Sequence, residues 1–358
     1  MKSKTQKTLI DPNQKASAKD GIYGLPFSES ESQIVFLPIP WDVTTSYQAG
    51  TSKGPEAILK ASEQIDFFDL DYVDVYKVGL HLRKIPTNLK KMNARGRGLA
   101  TKIINASESE IDRSKTLKKA LNEVNQLSEE LNQYIYSQCQ KLLQNKKTPI
   151  ILGGDHSTPF GAIKAYSEQF KDLGILHIDA HSDTRNAYMG FKHSHASIMY
   201  NVLENISGIK KLIQVGIRDF CEDEFLYTQK NKKVTVFFDK KIQEHKMKGH
   251  SFSSLADKIV AGLPQNIYIS FDIDGLDPRY APHTGTPVPG GLEYAEFIEL
   301  LHAIVRAGKK IVGFDLVEVA PNLKDKNDEW DANVAMRLIY KMAGASMHTQ
   351  GFIERRNS

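Results

Sequence analysis

Leu176-His177-Ile178-Asp179-Ala180-His181-Ser182-Asp183, entered from the apolar run Gly174-Ile175-Leu176, decides how this chain folds. An apolar stretch that breaks into acids and imidazoles reads as a buried strand running out to its end. Along an extended chain, residues two apart face the same side. Asp179, His181 and Asp183 therefore share a face, within about 13 Å of chain at ~3.3 Å per residue. A polar strand end capped by solvent would look the same, and two further stretches decide between it and a metal site.

Working outward, short and nearly uniform apolar runs recur: Ile34–Pro38, Tyr76–Leu80, Pro149–Leu152, Leu212–Gly216, Val234–Phe238, Ile267–Phe271 and Ile311–Asp315. Runs of this kind are strands buried on both faces, as in parallel sheets. Helical patterns separate several of them, at Glu56–Ser62, Ser254–Leu263, Leu292–Ala307 and Ala332–Ala343. From Leu117 to Leu143, apolar residues recur in steps of three and four, one amphipathic helix with a buried stripe. The expected fold is α/β, three layers (α/β/α) around a mostly parallel sheet of about eight strands. The expected organisation is an N-terminal arm over 1–30, then one domain over 31–350 with a helical insertion at about 100–146. Residues 81–115 are polar and give no clear pattern. The Gly/Pro-rich segment Gly50–Glu56 lacks a phosphate-loop spacing and reads as a tight strand-to-helix loop.

The 358 residues carry 47 basic and 43 acidic side chains, a formal net charge of +4. That balance gives no reason to expect nucleic acid or a membrane surface as a partner. Two cysteines, Cys139 and Cys221, form no CxxC pair and suggest neither a disulfide framework nor a thiolate metal site. No signal peptide or membrane-spanning run is visible, so a cytoplasmic setting is expected.

Two more strand ends carry metal-type ligands. Pro149–Leu152 runs into Gly153-Gly154-Asp155-His156-Ser157, and Ile267–Phe271 into Asp272-Ile273-Asp274-Gly275-Leu276-Asp277-Pro278. In open α/β sheets, ligands bind at this carboxyl edge. His156, Asp179, His181, Asp183, Asp272 and Asp274 would then converge. Four carboxylates together repel unless cations neutralise them. Two divalent ions bridged by carboxylates lie ~3.5–4 Å apart and can share one activated water. This oxygen-rich set with two imidazoles suits Mn²⁺, with Ni²⁺, Co²⁺ and Zn²⁺ chemically admissible. The DxDG fragment follows a buried strand and lacks the closing Glu of an EF-hand loop, which excludes a calcium loop of that kind.

These three segments, in this order and separation, resemble the signatures of the ureohydrolase superfamily of arginases and agmatinases, over roughly residues 30–345. The resemblance implies a binuclear manganese-type centre, hydrolysis of a guanidino C–N bond with release of urea, and a trimer or hexamer. One metal would take His156, Asp179, Asp183 and Asp272. The other would take Asp179, His181, Asp272 and Asp274, with Asp179 and Asp272 bridging. Asp183 or Asp274 would orient the attacking water. Glu318, in Asp315-Leu316-Val317-Glu318-Val319-Ala320-Pro321, matches the family's guanidinium-binding Glu, and a carboxylate is the sensible partner for that planar cation. His195, with His193 as alternate, stands where the family has a proton-shuttling His. A free imidazole near pKa ~6.5 suits that traffic.

Substrate choice is less determined. Arg185 replaces the short amide expected of an arginase, and Pro282–Gly291 and Val317–Pro321 are more similar to agmatinases. Arg185 could pair with a substrate carboxylate or form a structural salt bridge. His283 is a further substrate-side candidate. The reading is an agmatinase-type enzyme, with free guanidine or another small guanidino compound as the alternative. Two rivals stand outside it: a one-metal amide deacetylase, disfavoured by six ligands, and a silent family member, disfavoured by an intact constellation.

Overall fold

The computed structural model describes residues 10–13 and 21–356. Eight strands form one sheet: β1 Ile34–Pro38, β2 Leu80–Leu82, β3 Thr148–Leu152, β4 Leu173–Ile178, β5 Ile209–Ile217, β6 Val234–Phe238, β7 Asn266–Asp272 and β8 Lys310–Val317. Their order is β2-β1-β3-β8-β7-β4-β5-β6, and every pairing is parallel. The eleven α-helices of the described residues are α1 Gly54–Ala61, α2 Thr87–Ile104, α3 Glu108–Arg113, α4 Lys115–Gln144, α5 Phe160–Gln169, α6 Ile198–Asn205, α7 Glu222–Lys230, α8 Asp239–Met247, α9 Phe252–Ala261, α10 Tyr294–Arg306 and α11 Trp330–Thr349.

Alternation along the strands builds two cores. Ile34, Phe36, Ile150 and Leu152 face a layer supplied by α1, α9, α10 and α11. Val35, Leu37 and Ile151 face the other, supplied by α2, α4, α5 and α6. Both sheet faces are thus covered, which is why the strands read as continuous apolar runs. None of the described helices is long and apolar enough to cross a membrane.

Two stretches differ from expectation. The run Tyr76–Leu80 is a 3₁₀ turn, Val75–Val78, and the strand begins only at Leu80. Asp74 and Gly79, both at positive φ, turn the chain on either side. A Cβ at Gly79 would lie 2.6 Å from the Glu31 carbonyl oxygen, so this crossing requires glycine. The unreadable 81–115 segment holds α2, whose buried face is Leu89, Gly96, Ala100 and Ile103. Two of those four are too small to register as an apolar stripe. Of the expected arm, residues 1–9 and 14–20 lie outside the described residues, while Ile22, Tyr23 and Leu25 are buried in the core.

Candidate metal centre

Four adjacent strands in the middle of the sheet, β3, β8, β7 and β4, end at one place. Beyond them stand His156, then Glu318, then Asp272 and Asp274, then Asp179, His181 and Asp183. The approach to His156 depends on Gly154, where a Cβ would fall 1.7 Å from the Trp41 carbonyl oxygen. Asp183 and Glu318 hold φ of 54° and 60°, left-handed values that cost a non-glycine residue about 1–3 kcal/mol and cluster at functional sites. Neighbouring backbone fixes them: Glu318 N–H donates to Gly154 O at 2.8 Å, and Met199 N–H donates to Asp183 O at 3.0 Å.

The candidate ligand atoms fall into two sets. His156 Nδ1 lies 2.9 Å from Asp179 Oδ2, 3.2 Å from Asp183 Oδ2 and 3.2 Å from Asp272 Oδ2. His181 Nδ1 lies 3.1 Å from Asp274 Oδ2 and 3.5 Å from Asp179 Oδ1. Asp179 thus turns one oxygen to each set, as a bridging carboxylate does. His156 Nδ1 is fully buried and makes no hydrogen bond of proper geometry with the oxygens around it. A buried nitrogen aimed at three carboxylates is satisfied by a cation at their centre. The donor set therefore fits a pair of divalent ions.

The protonation pattern agrees. Burial alone would lower His156 and His181, but the facing aspartates raise both well above the ordinary imidazole value. Burial and the neighbouring Asp179 push Asp183 up to about 7, and burial with Asp274 and Asp179 raises Asp272 well above the carboxylate range. Asp179 resists burial and is held well below that range by His177, His156 and His181. Protons on the two histidines partly balance the four carboxylates, the work that cations would do.

Residues that the sequence reading passed over support the ligands. Register aligns Gln214 with His177, His177 with Ser270, and Ser270 with Asp315, one polar row across β5, β4, β7 and β8. All four are fully buried. Gln214 Nε2 donates to Ser182 O at 2.7 Å and lies 3.0 Å from His177 Nδ1, leaving His177 Nε2 facing Asp179 Oδ2 at 2.8 Å. Ser270 Oγ lies 3.0 Å from His156 Nε2 and donates to Asp315 Oδ1 at 3.2 Å. Such partners fix the tautomer and direction of ligating side chains. The signal for His177 was present, since it shares the face of Asp179 by simple alternation. Arg218 Nη2 donates to the carbonyls of Asp274, Leu276 and Val288 at 2.6, 3.1 and 3.0 Å, which holds the β7 ligand turn.

A cavity of about 170 Å³ opens over the two sets. Glu318, Asp183, His195, Arg185, Thr286 and Ser46 line it. Glu318 Oε1 accepts from His156 N–H at 2.8 Å, and burial with Asp155 nearby raises its carboxyl well above the usual range. His195 faces the cavity, whereas His193 turns to Glu129 at 2.9 Å on α4 and lines a different hollow. Burial, followed by His181 and His156, pushes the His195 imidazole down to about 3, not the free value near 6.5 that was expected. Arg185 reaches the cavity with its guanidinium engaged: Nε lies 3.3 Å from Glu224 Oε2, and the group sits 4.8 Å over the Tyr188 ring. His283 is not brought to the cavity. Its ring and N–H are held by Asp331 at 2.8 and 2.9 Å, with Asp328 at 3.5 Å. A larger hollow of about 460 Å³ near Gln33 and Lys147 lies at the opposite edge of the sheet and gathers no comparable ligands.

Comparison with known proteins gives one answer. The profile of the Arginase family matches residues 32–344. An N(1)-aminopropylagmatine ureohydrolase from Thermus thermophilus is 31% identical over 91% of this chain and 94% of its own length. An agmatinase from Bacillus cereus is 29% identical over 84% and 88%. In fold, the agmatine ureohydrolase of Thermoplasma volcanium superposes with a TM-score of 0.68 at 24% identity, covering 93% of this chain and 96% of that one.

Proposed function

This chain belongs to the arginase family, and from that premise we propose that it hydrolyses agmatine to putrescine and urea at the strand-end cavity. It is a ureohydrolase of agmatinase type, a hydrolase of C–N bonds in linear amidines. The observation that carries the substrate reading is that Glu318 lines the same cavity as two ligand sets sharing Asp179. One ion would be held by His156, Asp179, Asp183 and Asp272, the other by Asp179, His181, Asp272 and Asp274. When bound, the pair of divalent cations supplies a water acidic enough to be a nucleophile at neutral pH.

The protein's own groups do the rest. Glu318 takes the guanidinium by charge-assisted hydrogen bonds and sets its carbon over the ligand sets. Asp183 and Asp274 orient the incoming water. Water adds at the guanidinium carbon, the bond to the alkyl nitrogen breaks, and urea and an ammonium leave. His195 stands in the cavity as the candidate proton carrier and rests neutral there, because burial and then the charges on His181 and His156 disfavour its charged form. Arg185 shapes the wall through Glu224 and Tyr188 and does not recognise a substrate carboxylate. His283, held by Asp331, is no substrate contact in this reading. Mn²⁺ is the native metal in this proposal and Ni²⁺ the alternative. A trimer or hexamer in a reducing cytoplasm completes it.

A second reading is agmatine extended by an N1-aminopropyl group. It is supported by the similar Thermus enzyme of that name and by the exposed Asp219 at the cavity rim, a partner for a second amine. Urea release from agmatine, N1-aminopropylagmatine, arginine, guanidine and guanidinobutyrate, each with Mn²⁺ and with Ni²⁺, tests both. Agmatine should give the highest kcat/KM. Turnover of guanidine or guanidinobutyrate alone would refute the substrate, and silence on all five would refute the activity.

A further inference from the structure

Helix α2 lies away from the ligand sets, yet three residues on one of its faces, Asn93, Gly96 and Arg97, meet the loop that follows β1. Positions i, i+3 and i+4 of a helix are neighbours on its surface. Asn93 grips Asp42 from both ends: Asp42 N–H donates to Asn93 Oδ1 at 2.8 Å, and Asn93 Nδ2 donates to Asp42 Oδ1 at 2.9 Å. Arg97 Nη1 donates to the carbonyls of Asp42 and Val43, each at 3.3 Å, to the Thr45 carbonyl, and to Thr45 Oγ1 at 3.0 Å. Gly96 permits this approach, because a Cβ there would lie 2.9 Å from Val43 Cγ2.

The gripped loop reaches the site. Thr44 Oγ1 accepts from His195 N–H at 3.1 Å and donates to Asp155 Oδ2 at 3.3 Å. Ser46, two residues on, is part of the cavity wall. No other acceptor meets the His195 N–H among the hydrogen bonds of the described residues, so Thr44 holds the backbone of His195 while Ser194 Oγ, 3.3 Å from Nδ1, meets its ring.

We propose that Asn93, Gly96 and Arg97 are positioning residues for the reaction, forming a brace by which α2 sets Thr44 and Ser46 and, through Thr44, His195. This rests on the strand-end cavity being the catalytic one. Loss of the brace leaves the ligand sets intact and misplaces one wall, and small misplacements of positioning groups cost on the order of 10²-fold in rate.

The test compares the metal-loaded full chain with its Arg97→Ala, Arg97→Lys and Asn93→Ala variants. The readouts are kcat and KM on the guanidino compound the parent hydrolyses best, metal content, and amide hydrogen exchange over residues 41–50. Arg97→Ala should lose roughly 10- to 100-fold in kcat/KM at unchanged metal content, with faster exchange confined to that loop. Arg97→Lys should recover most of the loss, since one nitrogen makes all four contacts. Activity of Arg97→Ala within twofold of the parent, or a loss matched by lost metal, overturns the brace. Should Arg97→Ala not fold, Asn93→Ala decides on the same readouts. If the parent releases no urea from any compound, the functional reading fails, while loop exchange still judges the brace.

Discussion

Asp179 and Asp272 stand at strand ends aligned by sheet register, with His156 in the turn after β3, whereas Thr44, Ser46, Arg185 and His195 stand on loops above them. The lower region is braced by buried side chains of the sheet itself, the row Gln214, His177, Ser270 and Asp315. The upper region is held by side chains that reach in from helices, Asn93 and Arg97 from α2 and Glu224 from α7. A ligand set must keep its atoms within a few tenths of an ångström, and a parallel sheet covered on both faces supplies that rigidity. A mouth that selects among substrates can be rebuilt without disturbing the sheet, and loops carry such variation.

The largest effect expected to separate the two regions comes from below. His156→Ala or Asp272→Ala should bring urea release to background and cut metal stoichiometry, read by elemental analysis of the purified protein. Unchanged release would end the metal mechanism. At the junction of the regions, Glu318→Gln should leave metal content intact and raise KM. Losing the charge of a buried paired carboxylate costs about 2–5 kcal/mol, so a rise of roughly 30-fold or more is expected. Failure to see it would remove Glu318 from the substrate's path.

A smaller effect probes the polar row. His177→Asn should weaken metal binding about 10- to 100-fold, the usual cost of losing an outer partner of a ligand. In the parent, affinity should also fall from pH 8 to pH 6, because His156 and His181 hold protons above the ordinary imidazole range and must release them to ligate. Calorimetric titration at the two pH values measures both, and an equal affinity for His177→Asn and the parent would reduce the row to packing. The smallest effect belongs to the mouth: Arg185→Ala should change kcat/KM for agmatine by only a few-fold, because its salt bridge to Glu224 is partly exposed and such pairs are worth about 1 kcal/mol or less. A selective collapse on guanidinobutyrate would instead make Arg185 a carboxylate reader.

Most of the lower region was legible. The apolar runs announced seven strands near their final places, and the acids and imidazoles following three of them announced the candidate ligands that the fold brings together. Local spacing is enough there, because residues two apart on a strand share a face whatever the rest of the chain does. The second strand was misplaced because Asp74 and Gly79 bend the backbone in a way that apolar content does not reveal. α2 stayed hidden because Gly96 and Ala100 do the packing. His177 was overlooked although its alternation with Asp179 was readable. Arg218 was not readable, since its carbonyl acceptors come from three separate stretches of chain.

By itself the sequence determined the α/β class, the family and the identity of the six ligand-type residues, all properties written in short-range pattern. Tertiary structure decided what depends on distant contacts. Strand order brought β3, β8, β7 and β4 together, and register placed His177, Ser270 and Asp315 under the ligands. Asp331 drew His283 away, Glu129 drew His193 away, and His195 was left at the cavity. Asn93 met Asp42 across 51 residues of chain. No local spacing encodes such a meeting, because it exists only once the sheet and its helices have packed.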